Sequence, residues 1–482
     1  MSAAAVAVPD RISAPTDEPP AYRWRWVVLA LVLIAEVMDL LDSTVITIAA
    51  PTVRADLGGS GATMQWWAAG YTLAFGVLLI VGARLGDLFG RRRVFVVGIA
   101  GFTLASAACA LAPSPEALIA TRVLQGGFGA LLIPQGLGLI KTVFPPKEMG
   151  GAFAAFGPVM GLAAIAGPIL AGWLTEADLL GTGWRMIFLV NVPLGVMGLL
   201  GALRFMPESR AAGRLRLDPA GVVLISAASL CIVYPLVQGR ELGWPAWTFA
   251  LMAGGVALLG VFALAERRTH GTPMIEPSLL RNRSYTSGLL VGIAFFAGFA
   301  GLTMVTSLFL QLGLHYSPEH AGVALIPMPL GVAITAGGSY ALMPRFGRAV
   351  LQAGLVVTVA GLVFVAATVA HGGTGLSSWE LAPAFFVFGL GLGFVFGPLF
   401  NVILAGVQEH EVGSASGTLN AIQQLGNSIG VALLATIFFS LLDHGHGSPA
   451  AMERTVLISA GLLAVAFVLS FLLPRDARMD EV

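Results

Sequence analysis

The chain has 482 residues, of which 57% are hydrophobic and only 11% are charged, and its formal net charge is zero. Soluble globular proteins are about a quarter charged, so this composition excludes a soluble domain and predicts an all-helical, polytopic membrane protein. No basic face indicates nucleic-acid binding, and the two cysteines, Cys109 and Cys231, lie in apolar segments and indicate neither a disulfide framework nor a metal cluster.

Apolar runs bounded by charges, Pro and Gly predict fourteen membrane-spanning helices. Before them, residues 1–25 are rich in Pro and Ala and predict a disordered cytoplasmic tail. The run after this tail is too long for a cleaved signal peptide. The predicted spans are 26–50, 64–83, 94–112, 115–140, 150–174, 186–206, 219–238, 247–266, 286–312, 320–341, 349–370, 380–405, 416–441 and 455–474.

The first span carries three acids, Glu36, Asp39 and Asp42, although its length and apolarity suit a helix that crosses the bilayer. Their i, i+3, i+6 spacing places them in one stripe about 120° wide, which can face away from lipid. A carboxylate near the bilayer centre is costly unless it is neutralised, paired or wetted. We therefore predict that this helix holds the proton-titratable core of a secondary transporter. Asp39, nearest mid-membrane, is the first candidate for the proton carrier.

The distribution of Lys and Arg predicts the orientation. With residues 1–25 in the cytoplasm, 21 of the 26 basic residues fall in cytoplasmic segments, as the positive-inside rule expects. This predicts an even number of spans, a plasma-membrane location and both termini in the cytoplasm. The exceptions are Arg122, within a span, and Arg54, Arg185, Arg240 and Arg454, in outer segments.

An internal repeat relates the two ends of the chain. Leu88-Phe89-Gly90-Arg91 after the second span recurs as Arg345-Phe346-Gly347-Arg348 after the tenth. The offset is too long for six helices, so two helices are expected between two six-helix bundles. The predicted division is a tail at 1–25, a bundle at 26–206, cytoplasmic linkers with two inserted helices at 207–285, a bundle at 286–474 and a cytoplasmic tail at 475–482.

Five motifs resemble those of the major facilitator superfamily and, within it, the fourteen-helix drug:proton antiporter family. Residues 83–93 are similar to the signature G-x-L-x-D-x-x-G-R-[KR], and residues 41–51 to the first-helix motif L-D-x-T-I-V-N-V-A-L-P. Residues 122–129 match the R-x-x-Q-G pattern, 167–172 resemble G-P-x-x-G-G, and 184–195 resemble W-R-x-I-F-x-x-N-x-P-x-G. Two positions depart from the patterns: Ala83 and Thr47 stand where Gly and Asn are usual.

The resemblance covers nearly the whole chain and implies multidrug efflux by proton antiport, with antibiotic resistance as its effect. It assigns a gating loop to Asp87, Gly90, Arg91 and Arg92, and a leak-sealing antiporter helix to Gly167, Pro168 and Gly172. No nucleotide-binding loop of the G-x-x-x-x-G-K-[ST] kind occurs, so we expect neither an enzyme nor a cofactor. For Arg91 to Arg93, the alternative is that they only anchor the topology.

Asp42 and Arg122 are predicted to lie at the same depth. Asp42 precedes the outer end of its helix at Ala50, and Arg122 follows the outer start of its helix at Pro115, each by a similar number of residues. At about 1.5 Å per residue, both lie about 10–12 Å below the outer surface, so the two side chains could meet. Arg122 would keep a neighbouring carboxylate charged until substrate or a conformational change alters the contact. The alternative is a static buried ion pair that only fixes packing.

The second half of the chain offers amides and aromatic rings in place of acids. Together these suit a roomy pocket for an amphipathic compound, and ordinary interhelical hydrogen bonds are an equal alternative for any one residue. The predicted substrate-cavity residues are Gln125, Asn401, Asn420, Gln423, Gln424 and Asn427.

These observations predict a monomeric rocker-switch antiporter, in which protons enter from outside and a lipophilic or cationic compound leaves the cell. Protons, a small-molecule substrate and the lipid bilayer are its expected partners. Two alternatives stay open: a dedicated exporter or symporter of one metabolite with the same fold, and a non-transporting membrane receptor or scaffold.

Overall fold

A computed structural model describes residues 22–210, 218–268, 276–404, 407–408 and 411–474. The predicted tails fall largely outside these ranges, since 1–21 and 475–482 are not among the described residues. The same holds for parts of the predicted linkers, at 211–217 and 269–275.

In the described ranges fourteen long helices follow one another, one for each predicted span. Their bounds are α1 Arg25–Leu57, α2 Gly61–Phe89, α3 Arg91–Ala110, α4 Pro115–Val143, α5 Pro146–Glu176, α6 Gly183–Phe205, α7 Pro219–Gln238, α8 Ala246–Arg268, α9 Arg283–Leu308 with a π turn at Phe309–Gly313, α10 Pro318–Ala324 continued by Pro327–Phe346, α11 Arg348–Gly372, α12 Ser378–Leu404, α13 Val412–Asp443 and α14 Ser448–Ser470. A short helix, Pro277–Arg281, precedes α9.

By length and apolarity alone, 13 helices of the described ranges could cross a membrane. The additional long helix is α1, which has 33 residues and is long enough to span, at about 1.5 Å per residue. It differs from the others because its centre holds Glu36, Asp39 and Asp42. The helix with three acids at its centre is therefore the one on which the predicted site depends.

Local sequence signals set the helix ends. The side chains of Ser60, Ser114 and Asn282 accept hydrogen bonds from first-turn amides and cap α2, α4 and α9. At the other ends, α2 and α10 stop at Gly90 and Gly347, whose φ angles are +108° and +52°. These two glycines occupy the same place in the repeated loop motif and both have a positive φ, whereas their ψ angles differ, at +130° and −130°.

The packing of the helices repeats between the two halves. In the first half, α1 packs on α5, α2 on α4, α3 on α4 and α3 on α6. In the second half, α9 packs on α13, α10 on α12, α11 on α12 and α11 on α14, which are the same pairings shifted by eight helices. Two six-helix bundles, α1–α6 and α9–α14, are therefore built on one plan, with α7 and α8 inserted between them.

Glycines make the corresponding helix pairs approach closely. A Cβ atom at Gly82 of α2 would lie 2.0 Å from the carbonyl oxygen of Ala130 in α4. A Cβ atom at Gly389 of α12 would lie 2.0 Å from the carbonyl oxygen of Met328 in α10. Only glycine leaves room for either backbone contact.

The described chain begins and ends on one face of the bundle, here named the terminal face, and the opposite face is named the far face. The halves meet in the far-face part, where α2 packs on α13 and α5 packs on α10. A Cβ at Gly172 of α5 would lie 2.4 Å from the carbonyl oxygen of Pro318, and one at Gly322 of α10 would lie 2.2 Å from that of Pro168. These backbone contacts close the far face.

Toward the terminal face the two halves are less tightly joined. A Cβ at Gly161 of α5 would have no described atom within 4 Å, and the same is true of Gly337 and Gly338 in α10. The structure therefore combines a closed far face with looser packing of α5 and α10 near the terminal face.

Helices α7 and α8 form an antiparallel pair at the side of the two bundles. They pack on each other, and α7 also packs on both α2 and α13. The inserted pair thus covers the seam where the first half meets the second.

Candidate functional site

A buried ion pair lies at the centre of the first bundle. The Nη1 atom of Arg122 donates to Oδ2 of Asp42, with the residues 0% and 2% exposed. The Nε atom of Arg122 donates to the carbonyl oxygen of Trp67 at 3.0 Å. Helices α1 and α4 thus bring together Asp42 and Arg122, which the sequence predicted to lie at the same depth in the membrane. The proton-coupling role of Asp42 and Arg122 stays a prediction.

Two side-chain amides also donate hydrogen bonds to Asp42. Gln125 Nε2 and Asn191 Nδ2 donate to Oδ1 of Asp42 at 2.7 and 3.0 Å. Gln125 Oε1 accepts from Arg122 Nη1 at 2.7 Å, and its Nε2 also donates to Ser106 Oγ at 2.8 Å. Both carboxylate oxygens therefore have donors, as a buried charge requires.

The spacing on α4 explains why Arg122 and Gln125 act together. They lie three residues apart and so share one helix face. Gly126 lies beside them, and a Cβ there would be 2.3 Å from the carbonyl oxygen of Tyr71 in α2. This close approach of α4 to α2 brings the Arg122 guanidinium against the α2 backbone.

Asp39 has a partner that the sequence did not reveal. The hydroxyl of Tyr71 donates to Oδ1 of Asp39. The ring of the same tyrosine lies 4.3 Å from the Arg122 guanidinium, close enough for a cation–π contact. Tyr71 therefore touches both the predicted proton carrier and the arginine of the ion pair. A tyrosine inside an apolar span was the available signal, because a buried hydroxyl needs a partner.

Two polar atoms of this network are unpartnered. Among the described residues, Arg122 Nη2 and Asn191 Oδ1 are buried without a hydrogen-bond partner. Glu36 is half-buried, nearer the terminal face, and has no described side-chain hydrogen bond. The network therefore keeps unused donor and acceptor capacity, which a rearranged state could satisfy.

The predicted gating loop lies on the terminal face and is tied within the first half. Arg91 Nη2 donates to Oδ1 of Asp87 at 3.0 Å, and Arg91 Nη1 donates to the carbonyl oxygen of Gly138 at 3.3 Å. The backbone N–H of Arg92 donates to Oε1 of Glu208 at 3.2 Å.

Gly90 is required at the centre of this loop. Besides its positive φ, a Cβ there would lie 2.4 Å from a carboxylate oxygen of Glu208. Glu208 was not among the predicted site residues, because it lies in a loop after α6, far from the motif in sequence. The described partners of the loop fix α2, α3 and α6 together, and its gating role stays a prediction.

The predicted antiporter helix, α5, uses its small residues on two sides. A Cβ at Gly167 would face α1, with Leu41 and Thr44 at 3.5 and 3.7 Å. Pro168 and Gly172 instead make the backbone contacts with α10 described above. The motif therefore lies against both the acid-bearing helix and the second half.

The predicted cavity residues do not form one group. Gln125 is fully buried in the Asp42 network, so the structure does not place it on a cavity surface. Asn401 is exposed near the terminal-face end of α12. Asn427 Nδ2 donates to Oε1 of Gln424 at 2.8 Å, and the side chain of Gln424 lies against Gly76 of α2 at the seam. The remaining two, Asn420 and Gln423, are half-buried on α13.

An aromatic cluster lies between α9 and α12. Phe295 and Phe299 are stacked with ring centroids 6.3 Å apart, and Phe396 meets them edge-on at 5.3 and 5.4 Å. Phe299 and Phe396 are half-buried, so part of each ring is accessible. Such rings can contact a planar or cationic organic molecule.

On the far face, Asp56 ties the end of α1 to the start of α6. It accepts hydrogen bonds from Trp184 Nε1 and Arg185 Nη1, both at 2.9 Å. These hydrogen bonds hold the pKa of Asp56 below its usual range, and the bond from Trp184 has the largest effect. In the described ranges, no group of three or more His, Cys, Asp or Glu residues could hold a metal ion.

Comparison with known proteins places the chain in a family. The sequence profile of the Major Facilitator Superfamily matches residues 32–431. The chain is 48% identical to a probable actinorhodin transporter of Streptomyces coelicolor, over 96% of this chain and 84% of the relative. It is 38% identical to a puromycin resistance protein of Streptomyces alboniger, over 93% of this chain and 89% of the relative.

Among solved structures, an auto-inhibited POT family peptide transporter is similar in fold. Its TM-score is 0.65 at 15% identity, over 92% of this chain and 95% of that one. Together with the repeated bundles, these matches identify the chain as a member of the Major Facilitator Superfamily and hence as a transporter.

Proposed function

We propose that this transporter exports antibiotic-like organic molecules, lipophilic or cationic, across the plasma membrane in exchange for protons. The relatives named for actinorhodin transport and puromycin resistance support the export of antibiotics. The single observation that carries the proton part is the acid stripe of α1, with the Asp42–Arg122 pair at its far-face end.

Antiport would follow from competition for the same carboxylates. Arg122 and its amide neighbours bind Asp42, while Asp39 accepts a hydrogen bond from one tyrosine hydroxyl and forms no salt bridge among the described residues. A carboxylate at this depth without a salt bridge is costly, so a proton or a cationic substrate relieves the same charge. A site that accepts one or the other exchanges them when it faces alternate sides.

The positive-inside pattern supports a cytoplasmic terminal face. In that orientation the structure is closed toward the outside and corresponds to a state that receives drug from the cytoplasm. One chain contains both bundles and the complete Asp42 network, so we propose a monomer as the working unit.

The half-buried amides and rings of α9, α12 and α13 are the proposed drug-contacting surface. They include Asn427, Gln424, Phe299 and Phe396. They belong to the second half, opposite the acids of the first. A substrate between the halves would therefore contact rings on one side and carboxylates on the other.

Transport in inverted membrane vesicles tests this proposal. Ethidium and puromycin uptake would be measured with an imposed pH gradient for wild type, Asp39→Asn and Asp42→Asn. We expect gradient-driven uptake in wild type and its loss in at least one variant. Glu116→Gln, which neutralises an exposed acid at the far-face start of α4, is the matched control. Unchanged gradient-driven uptake in both Asp variants would refute the coupling role.

A dedicated exporter of one compound is a second candidate, because the relative at 48% identity is named for a single compound. A substrate panel separates the two. Uptake of actinorhodin alone, without ethidium or puromycin, would favour the dedicated exporter.

A further inference from the structure

The turn between α7 and α8 reaches the second half of the transporter on the far face. Arg240 lies in this turn, and its Nη1 atom donates to Oδ2 of Asp443, the last residue of α13. The Arg240 guanidinium also lies 5.3 Å from the ring centroid of Phe439 in α13. An ion pair and a cation–π contact thus fix the turn to α13.

The same turn also reaches the first half. Oε1 of Glu241 accepts a hydrogen bond of 3.1 Å from the backbone N–H of Ala62, in the first turn of α2. First-turn amides have no partner within their own helix, and a carboxylate there also meets the positive end of the helix dipole. Glu241 Oε1 lies 3.6 Å from Arg240 Nη2, so the two contacts are joined to each other.

A buried polar junction lies one helical turn below. The hydroxyl of Thr436 in α13 lies 3.0 Å from Oε1 of Gln65 in α2 and 2.7 Å from the carbonyl oxygen of Leu236 in α7. Gln65 is 0% exposed and Thr436 is 4% exposed. One hydroxyl therefore connects a helix of each half with the inserted pair.

We propose that the inserted pair is a clamp that holds the far face closed. For the far face to open, α2 and α13 must move apart, because they belong to different halves and pack together there. The turn is bonded to both, so opening must break the contact of Glu241 with Ala62 or that of Arg240 with Asp443. The clamp thereby favours the state with a closed far face, and releasing it is one step of each cycle.

This inference rests on the alternating-access part of the proposed function, and it is independent of the substrate and of the coupling acids. Spin labels at Ala55→Cys and Thr374→Cys, exposed far-face positions in the first and second halves, report the opening. The labelled protein carries Cys231→Ser, because Cys231 is partly accessible while Cys109 is buried. Distances are measured by pulsed electron paramagnetic resonance in lipid nanodiscs, without drug or pH gradient.

We expect Arg240→Gln and Glu241→Gln each to raise the ratio of long to short distances by about fivefold, the upper range for an exposed ion pair. Arg240→Lys should retain most of the short population, since it keeps the charge. Arg454→Gln is the matched control, because this far-face arginine bonds to His446 within the second half. Gel filtration confirms that each variant is folded.

Distance distributions that are the same in wild type, Arg240→Gln and Glu241→Gln would overturn the clamp. An equal shift in Arg454→Gln would also overturn it, because the effect would not depend on contacts between the halves. If the distances respond as expected while Asp39→Asn and Asp42→Asn transport normally, the clamp stands and the proposed proton coupling fails.

Discussion

Replacing Asp42 by Asn isolates the energy of the buried ion pair. Arg122 has no exposed surface, so the variant leaves its charge in the interior without its ion-pair partner. Breaking a buried pair by removing one partner costs about 3–5 kcal/mol. The amide retains one acceptor oxygen, whereas three side chains, Arg122, Gln125 and Asn191, donate to the two oxygens of Asp42. At least one donor is left without its acceptor, which by itself costs about 1–3 kcal/mol.

A double-mutant cycle measures the coupling between the two residues. Asp42→Asn and Arg122→Gln should each lower the free energy of unfolding by about 3–5 kcal/mol, and the double variant should lose at least about 2 kcal/mol less than their sum. Unfolding is followed by circular dichroism as sodium dodecyl sulfate displaces a mild detergent. Additive losses, within about 0.5 kcal/mol, would show that the pair contributes nothing specific and would refute this reasoning.

Three further substitutions address other parts of the structure. Tyr71→Phe removes the hydrogen bond to Asp39 but keeps the ring beside Arg122. It should therefore lower the free energy of unfolding by about 1.5–3 kcal/mol. It should also reduce gradient-driven uptake, while drug binding, measured by fluorescence, persists. Gly172→Ala inserts a methyl group into the backbone seam and should disfavour far-face closure by about 1–3 kcal/mol, seen as longer spin-label distances. Asp56→Asn should lower stability by about 0.2–1 kcal/mol at neutral pH. Because the folded protein lowers the pKa of Asp56, this difference should disappear as acid protonates the wild-type carboxylate.

Each of these changes has an internal comparison. Tyr234→Phe alters a tyrosine of α7 that has no described hydrogen bond, so it should leave uptake unchanged. Gly161→Ala adds the same methyl group to α5 where no described atom lies within 4 Å, so the distances should stay as in wild type. For Asp56→Asn, a stability difference that persists unchanged into acid would contradict the electrostatic explanation.

The fourteen spans were predictable because length and apolarity are properties of each segment alone. The shared depth of Asp42 and Arg122 was also predictable, since the depth of a residue follows from its distance to the helix end. Neither inference required knowledge of which way a helix is rotated.

The partners across helices could not be predicted, because most of these helices are apolar on all sides. In a membrane, both lipid and protein interior favour apolar residues, so sequence periodicity does not mark the buried face. The structure was therefore needed to identify the interhelical partners of Tyr71, Asn191 and Glu208. Asn191 lies in the motif at 184–195, but nothing in that motif connects it with an acid of α1.

The seam between α5 and α10 has a thermodynamic consequence. Gly172 and Gly322 contact carbonyl oxygens of the opposite helix, so these two contacts require no side chain to adopt a particular rotamer. Long side chains that interlock lose conformational entropy each time they are ordered, about 0.5–2 kcal/mol apiece. Contacts made by backbone atoms alone avoid that loss. These contacts can therefore be broken and re-formed in every turnover with little entropic penalty.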